Sequence, residues 1–237
     1  MRNAFQSMSV ALVGLAAVCA DPAGVEAGRG ITVIVMATEP AGTSAAPGAV
    51  EIDGVRLVLG GVKLETAGMD GTVDWVFDQS VVIEVDLTGE PVTAQTLLDV
   101  PPGTYKEIEI SIDKLEPGNP AETALLAEHP DLTDASIVIT ADVLQDGTAV
   151  PFVFVAALDR DMEIQLQPHL VLNDDGGPAG IQVTLYLNLD GWFRGPEGQW
   201  LDPRDPANRS TIEANIQASL AAFEDGNGDG VPGPIVR

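Results

Sequence analysis

The stretch TYKEIEISID (104–113) constrains this chain more than any other. Ile108, Ile110 and Ile112 alternate with Glu107, Glu109, Ser111 and Asp113. Strand side chains point to opposite faces with a period of two, so this segment has one buried face and one wet face. Comparable runs recur along the chain. ITVIVMAT (31–38) is a β-branched run and reads as a buried strand. VEIDGVRLVLGGVKLETA (50–67) alternates through Val55, Leu57 and Leu59, with Gly60-Gly61 marking a bulge or bend before Val62 and Leu64. TVDWVF, VVIEVDL, SIVITADVL, AVPFVFVAAL, MEIQLQ and IQVTLYLNL follow. Asp146-Gly147 joins two of these runs as a hairpin, because both residues tolerate positive φ.

The sum is roughly nine strands at the spacing of a β-sandwich. Long helices do not alternate with them, which argues against a parallel βαβ architecture. The expected fold is mainly β, an antiparallel β-sandwich with one C-terminal α-helix. PAETALLAEH (120–129) reads as a short helix or a loop crossing one end. Hydrophobic residues make up 45% of the 237, but aromatics only 5%, so the core is built from Val, Ile, Leu and Ala. The length suits one such domain with a tail. The expected division is a leader (1–20), a Gly/Ala tether (21–30), the sandwich (31–190), and a C-terminal loop, helix and acidic loop (191–237).

The leader carries Arg2 and an apolar run, VALVGLAAV (10–18), too short to span a bilayer but suited to a signal peptide. Export is therefore expected. Cys19, the single cysteine, closes this run. LAAVC reads as a bacterial lipobox with Cys19 as the lipidated first residue, although Val18 stands where a small residue is usual. The alternative is simple cleavage before Asp21. Lipidation is the expectation, since cysteine is otherwise absent. It would anchor the protein to the outer membrane, facing the periplasm or the cell surface.

The formal net charge is −25, from 36 acidic and 11 basic residues. Such a chain repels phosphate backbones, so nucleic acid is excluded as a partner. Solubility and cation binding are favoured instead.

STIEANIQASLAAFED (210–225) reads as a helix. Ser210 and Glu213 form a capping box, and Ile212, Ile216, Leu220 and Phe223 make one apolar stripe. Asp225-x-Asn227-x-Asp229-Gly230 then matches the first half of an EF-hand loop, with the carbonyl of Val231 as a further calcium ligand. Val236 stands where a bidentate Glu belongs, and no second helix follows. Glu224, Glu213, water or a sandwich loop would have to complete the shell. The other reading of these residues is a solvated acidic turn. NDDGG (173–177) reads as another acidic turn without a ligand role.

Several of these segments together are similar to a known family. VEIDGVRLVLGGVKLETA, DWVF, VVIEVDLTG and QTLLDVPPGTYKEIEISI resemble the bacterial lipoprotein-type domain of unknown function 4382. The shared pattern is an opening strand pair, a tryptophan strand with Trp75, a Val85-Asp86-Leu87 strand, and a Pro-Gly-Thr-Tyr turn leading into the alternating strand. It covers residues 31 to about 167. The resemblance implies a secreted or outer-membrane-anchored domain with an immunoglobulin-like or transthyretin-like sandwich. It brings no activity and no catalytic residues. The long EPAGTSAAPGA loop (39–49) departs from the pattern.

Catalytic chemistry has little support. His129 and His169 each neighbour a proline, and no Gly-x-Ser-x-Gly elbow or His/Cys zinc pattern is present. The function expected is a non-enzymatic envelope module for binding, adhesion or structure, stabilised by calcium, with an envelope protein or glycan as partner. The alternative is a carbohydrate-binding module in which Trp192 and Trp200 stack on sugar rings. Against it, Trp192, Phe193 and Trp200 are also placed to seal the junction between the terminal helix and the sandwich, and in a chain so poor in aromatics that is the expected role. A periplasmic hydrolase using paired carboxylates is a further alternative, but 36 acids guarantee chance pairs.

Overall fold

The computed structural model describes residues 31–38, 46–68, 73–87, 92–97 (backbone alone), 100–172 and 181–225. Cys19, Asn227, Asp229, Val231 and the 173–177 turn lie outside them.

Eleven strands and two helices are described: β1 (Ile31–Ala37), β2 (Val50–Thr66), β3 (Trp75–Phe77), β4 (Val81–Val85), β5 (Val92–Leu97), β6 (Gly103–Ile112), α1 (Pro120–Glu128), β7 (Ile137–Gln145), β8 (Thr148–Ala156), β9 (Arg160–Leu172), β10 (Ile181–Leu187), α2 (Arg209–Ser219) and β11 (Leu220–Glu224). They form a β-sandwich. The smaller sheet has the order β11-β10-β1-β5, and the larger runs β8-β7-β2-β6-β9 with β3 and β4 also on β2. Pairing is antiparallel except between β1 and β10, which run parallel in register from Ile31↔Ile181 to Ala37↔Leu187.

Strand β2 organises the larger sheet. Its first half pairs with β7 and β4, its second half with β6 and β3. Val55, Arg56 and Leu57 are shared by β4 and β7, so those two strands lie on opposite edges. The register shifts between Leu59 and Gly61, at the expected glycine pair. A Cβ on Gly61 would lie 2.8 Å from the carbonyl oxygen of Phe77, which explains the glycine there.

The alternation of β6 is realised as expected. Ile108, Ile110 and Ile112 are fully buried in the core between the sheets, with Ile31, Val33, Val35, Leu57, Leu59, Val183 and Leu185. Each such side chain contributes about 1.5–3 kcal/mol by leaving water. Tyr105 closes the end of this face, and its hydroxyl donates to the Pro101 carbonyl at 2.9 Å. Asp146 (φ 50°) and Gly147 (φ 79°) make the β7–β8 turn.

A second, small apolar cluster lies on the outer face of the larger sheet. Val58 and Val138 of the sheet pack there with Leu115 and Leu132. The segment 113–136, which carries α1, covers it. Asn119 caps α1 through a bond from the Ala121 N–H at 3.0 Å. Buried Glu122 accepts from Ser80 Oγ (2.9 Å), Asn119 Nδ2 (3.1 Å) and the Glu116 N–H, fastening the helix to the start of β4.

The C-terminal expectation needs correcting. The helix is real but ends at Ser219, and Leu220–Glu224 form β11, paired with β10. The apolar residues read as one helical stripe therefore divide. Ile212 and Ile216 bury a helix face, while Leu220 sits in the sheet opposite Leu187. Nor is there a capping box. Asn208 is the N-cap residue and makes no side-chain cap bond, and Glu213 instead pairs with Arg209 at 2.9 Å. The sheet edge offered to 220–224 outweighs helix propensity there.

Candidate functional site

The tail motif begins at the edge of the smaller sheet. Asp225 is fully buried, its N–H donates to the Gln182 carbonyl (3.1 Å), and its Oδ2 accepts from Thr184 Oγ1 (3.0 Å). The residue before the Asp-x-Asn-x-Asp-Gly motif is thus the last of a strand, and the EF-hand context expected from a preceding helix is overturned. A carboxylate does fit a hard cation, and a buried one is stabilised by hydrogen bonds or metal. Of the four motif ligands, only Asp225 falls among the described residues; Glu213, a candidate further ligand, pairs with Arg209 on α2.

The tryptophans are the alternative, sugar-stacking site, and the burial of Trp192 takes that residue out of it. Trp192 is fully buried, its Nε1 donates to Ser219 Oγ at 2.6 Å, and its carbonyl accepts from Asn215 Nδ2 at 3.2 Å. Both partners lie on α2. Phe193 packs edge-on against Phe152 and Phe154. Trp200 is half-buried against the core, and the Arg194 guanidinium lies 3.3 Å from its ring centroid. Neither indole offers a clear face to a sugar ring. Trp192 seals the α2 junction, because an indole buries large apolar area once its N–H has a partner.

The wet face of β6 carries charge in register. Glu109 lies between Lys63 and Glu163, and Glu107 between Glu65 and Gln165. Side-chain oxygens of Glu107, Glu109 and Glu163 come within 4.8 Å of one another. Lys63 pairs with Glu109 at 3.5 Å, and Lys106 with Glu65 at 2.7 Å. The Gln165 amide donates to Glu107. Burial and the carboxylates of Glu109, Asp159 and Asp113 push the Asp161 carboxyl up.

A further feature is a cavity of about 290 Å³ on the outer face of the larger sheet, lined by Asp53, Gly54, Arg56, Glu84, Asp131 and Thr140, with valines 55, 85 and 138. A bulge creates it. The β2–β7 register shifts between Ile52 and Gly54, so Asp53 is the extra residue and Gly54 leaves the floor bare. A Cβ at Gly54 would stand 2.8 Å from Thr140 Oγ1. Arg56 forms one wall. Its Nη2 donates to Glu84 Oε1 at 2.9 Å and its Nη1 to Asp131 Oδ2 at 2.5 Å, which ties β2 to β4 and to the turn after α1. Its Nε is enclosed and has no acceptor. Burial, then the nearby Asp142 carboxylate, push the Asp53 carboxyl up. Sequence reasoning missed this site. The signal was Asp53-Gly54 inside an otherwise regular strand run, which marks a bulge rather than a turn.

No protein-family model, curated protein or solved structure matches the chain.

Proposed function

We propose that the chain is an exported, membrane-anchored bacterial β-sandwich lipoprotein of the cell envelope, which binds rather than catalyses. The observation that carries the binding role is the bulge-built cavity beside Arg56. It is a concave, mixed polar and apolar recess on a rigid sheet, the usual setting of a small-ligand site. The leader with Cys19 and the resemblance to domain of unknown function 4382 support the address. Calcium is assigned a structural role, with Asp225, Asn227, Asp229 and the Val231 carbonyl clipping the tail to the sheet edge. The fully buried Asp225 carboxylate supports that assignment.

Labelling bacterial cells with a palmitate analogue tests the address. The expected result is label in the envelope fraction and none in Cys19→Ser. An unlabelled chain that keeps residues 1–18 by mass spectrometry would overturn it. For the calcium clip, the melting temperature should rise with millimolar calcium after chelation, and Asp225→Asn with Asp229→Asn should abolish the rise. A wild-type melting temperature indifferent to calcium removes the metal from the proposal.

A further inference from the structure

The cavity beside Arg56 has a composition that selects among ligands. Three carboxylates, of Asp53, Glu84 and Asp131, face a single guanidinium. An anion would meet a surplus of negative charge. A wholly apolar ligand would strip water from charged groups with nothing in return. A compact cation would find the Glu84 and Asp131 carboxylates already paired with the Arg56 guanidinium. What remains is a neutral molecule rich in hydroxyls. Carboxylates only accept, guanidinium only donates, and a threonine hydroxyl does both, so a set of hydroxyl groups answers all three.

The local construction gives each group a defined part. Arg56 commits one Nη hydrogen to Glu84 and one to Asp131, leaving further donors from its five N–H groups. Glu84 and Asp131 are thereby neutralised and held in place. Asp53 stands outside that ion-pair network, carried to the rim by the bulge, and its carboxylate is available to accept two hydroxyls. Thr140 Oγ1 has only a long bond to the Gly54 carbonyl, at 3.4 Å. Val138, paired across the strands with Arg56, forms the buried base of the recess beside it. The volume, about 290 Å³, lies at the small end of ligand pockets and suits one or two sugar rings.

We infer that this recess is a binding site for a neutral saccharide, in which Asp53 and Thr140 read ring hydroxyls and Arg56 donates to a ring or glycosidic oxygen. The inference rests on the binding-module reading above and names its ligand class. It also moves sugar recognition from the buried tryptophans to a polar recess on the opposite side of β2 from the core.

Saturation-transfer NMR on the full-length purified protein tests it, because this readout does not depend on the state of Cys19 or on export. The panel is D-glucose, D-galactose, D-mannose, N-acetyl-D-glucosamine and their β-linked disaccharides, with putrescine as the cationic competitor. The expected result is transfer to at least one sugar with a dissociation constant in the millimolar range, as for other ligands of that size. Asp53→Asn and Thr140→Val should each weaken it about tenfold or more. Both side chains are exposed, so folding should survive, and the thermal transition of each variant checks this. Trp200→Ala should leave the affinity unchanged. Three outcomes would overturn the inference: no transfer to any sugar at about 10 mM, transfer that both pocket variants retain in full, or binding of putrescine alone.

Discussion

The two halves of β2 are made of similar residues and have different surroundings. On the core side they are equivalent, with Val55, Leu57, Leu59, Val62 and Leu64 all buried. On the outer side the first half presents Arg56 and Val58, roofed by the 113–136 segment and its small apolar cluster. The second half presents Lys63 and Glu65 to water, with carboxylates of β6 directly across. Glu65 faces Glu107 and Glu109 faces Glu163, arrangements that cost energy when like charges stand opposite. The difference shows how a chain of net charge −25 uses scarce cations. Arg56 joins two carboxylates from different elements and positions the larger recess, whereas Lys63 and Lys106 each pair with one carboxylate and dilute the repulsion around it.

The sharpest way to break this contrast is to remove the roof from the first half. Leu132, in that roof, is fully buried against the sheet, so Leu132→Ala should cost about 2–4 kcal/mol, measured by urea denaturation. Amide exchange should show the loss concentrated over 113–136 rather than in β6. Uniform destabilisation of both halves would mean the segment is an integral part of the core. A smaller effect is expected from Arg56→Met, about 0.5–1 kcal/mol, because one guanidinium holds two carboxylates although both reach solvent, Glu84 being 74% exposed. Lys63→Met should lose less, about 0–0.5 kcal/mol, since Lys63 makes a single long pair, at 3.5 Å to Glu109, in a part-buried setting. Equal losses in the two variants would erase the distinction between the two halves of β2.

Much of this architecture was legible in the residues. Period-two runs located β6, β7, β9 and β10, and the Gly60-Gly61 bulge and Asp146-Gly147 turn followed from backbone freedom. What was hidden depends on contacts distant in sequence. LAAFE continues a helical pattern from 210 onward, and only the vacant edge of β10 makes it a strand. β5, VTAQTL, shows little alternation and is fixed by pairing with β1. The parallel β1–β10 pair joins residues about 150 positions apart, beyond the reach of any local signal. The recess was hidden for the same reason. Its walls come from β2, β4, β7 and the turn after α1, and nothing local to Arg56 announces Glu84 or Asp131. The tryptophans were legible in their sealing role, because scarce aromatics anchor cores.

The finest test addresses the open half alone, through Asp161. This residue sits across from Ser111 on the acidic face, and burial together with Glu109, Asp159 and Asp113 raises its carboxyl above the ordinary value of 3.8. A carboxyl with a raised folded-state value favours the protonated form in the fold. Its contribution to stability is therefore fully present below the unfolded value and is lost as pH rises through the raised folded one. At neutral pH the ionised Asp161 works against the fold, and Asp161→Asn should stabilise the protein by a few tenths of a kcal/mol after solvent screening. The gain should shrink as pH falls toward 4, and also in high salt, which screens the same carboxylates. Urea denaturation of both proteins between about pH 3.5 and 7 measures this. A stability difference that ignores both pH and salt would show that the acidic face is too well solvated for its in-register carboxylates to feel one another. The cost of like charges on the open half of β2 would then have to be abandoned, while the role of Arg56 on the roofed half would stand.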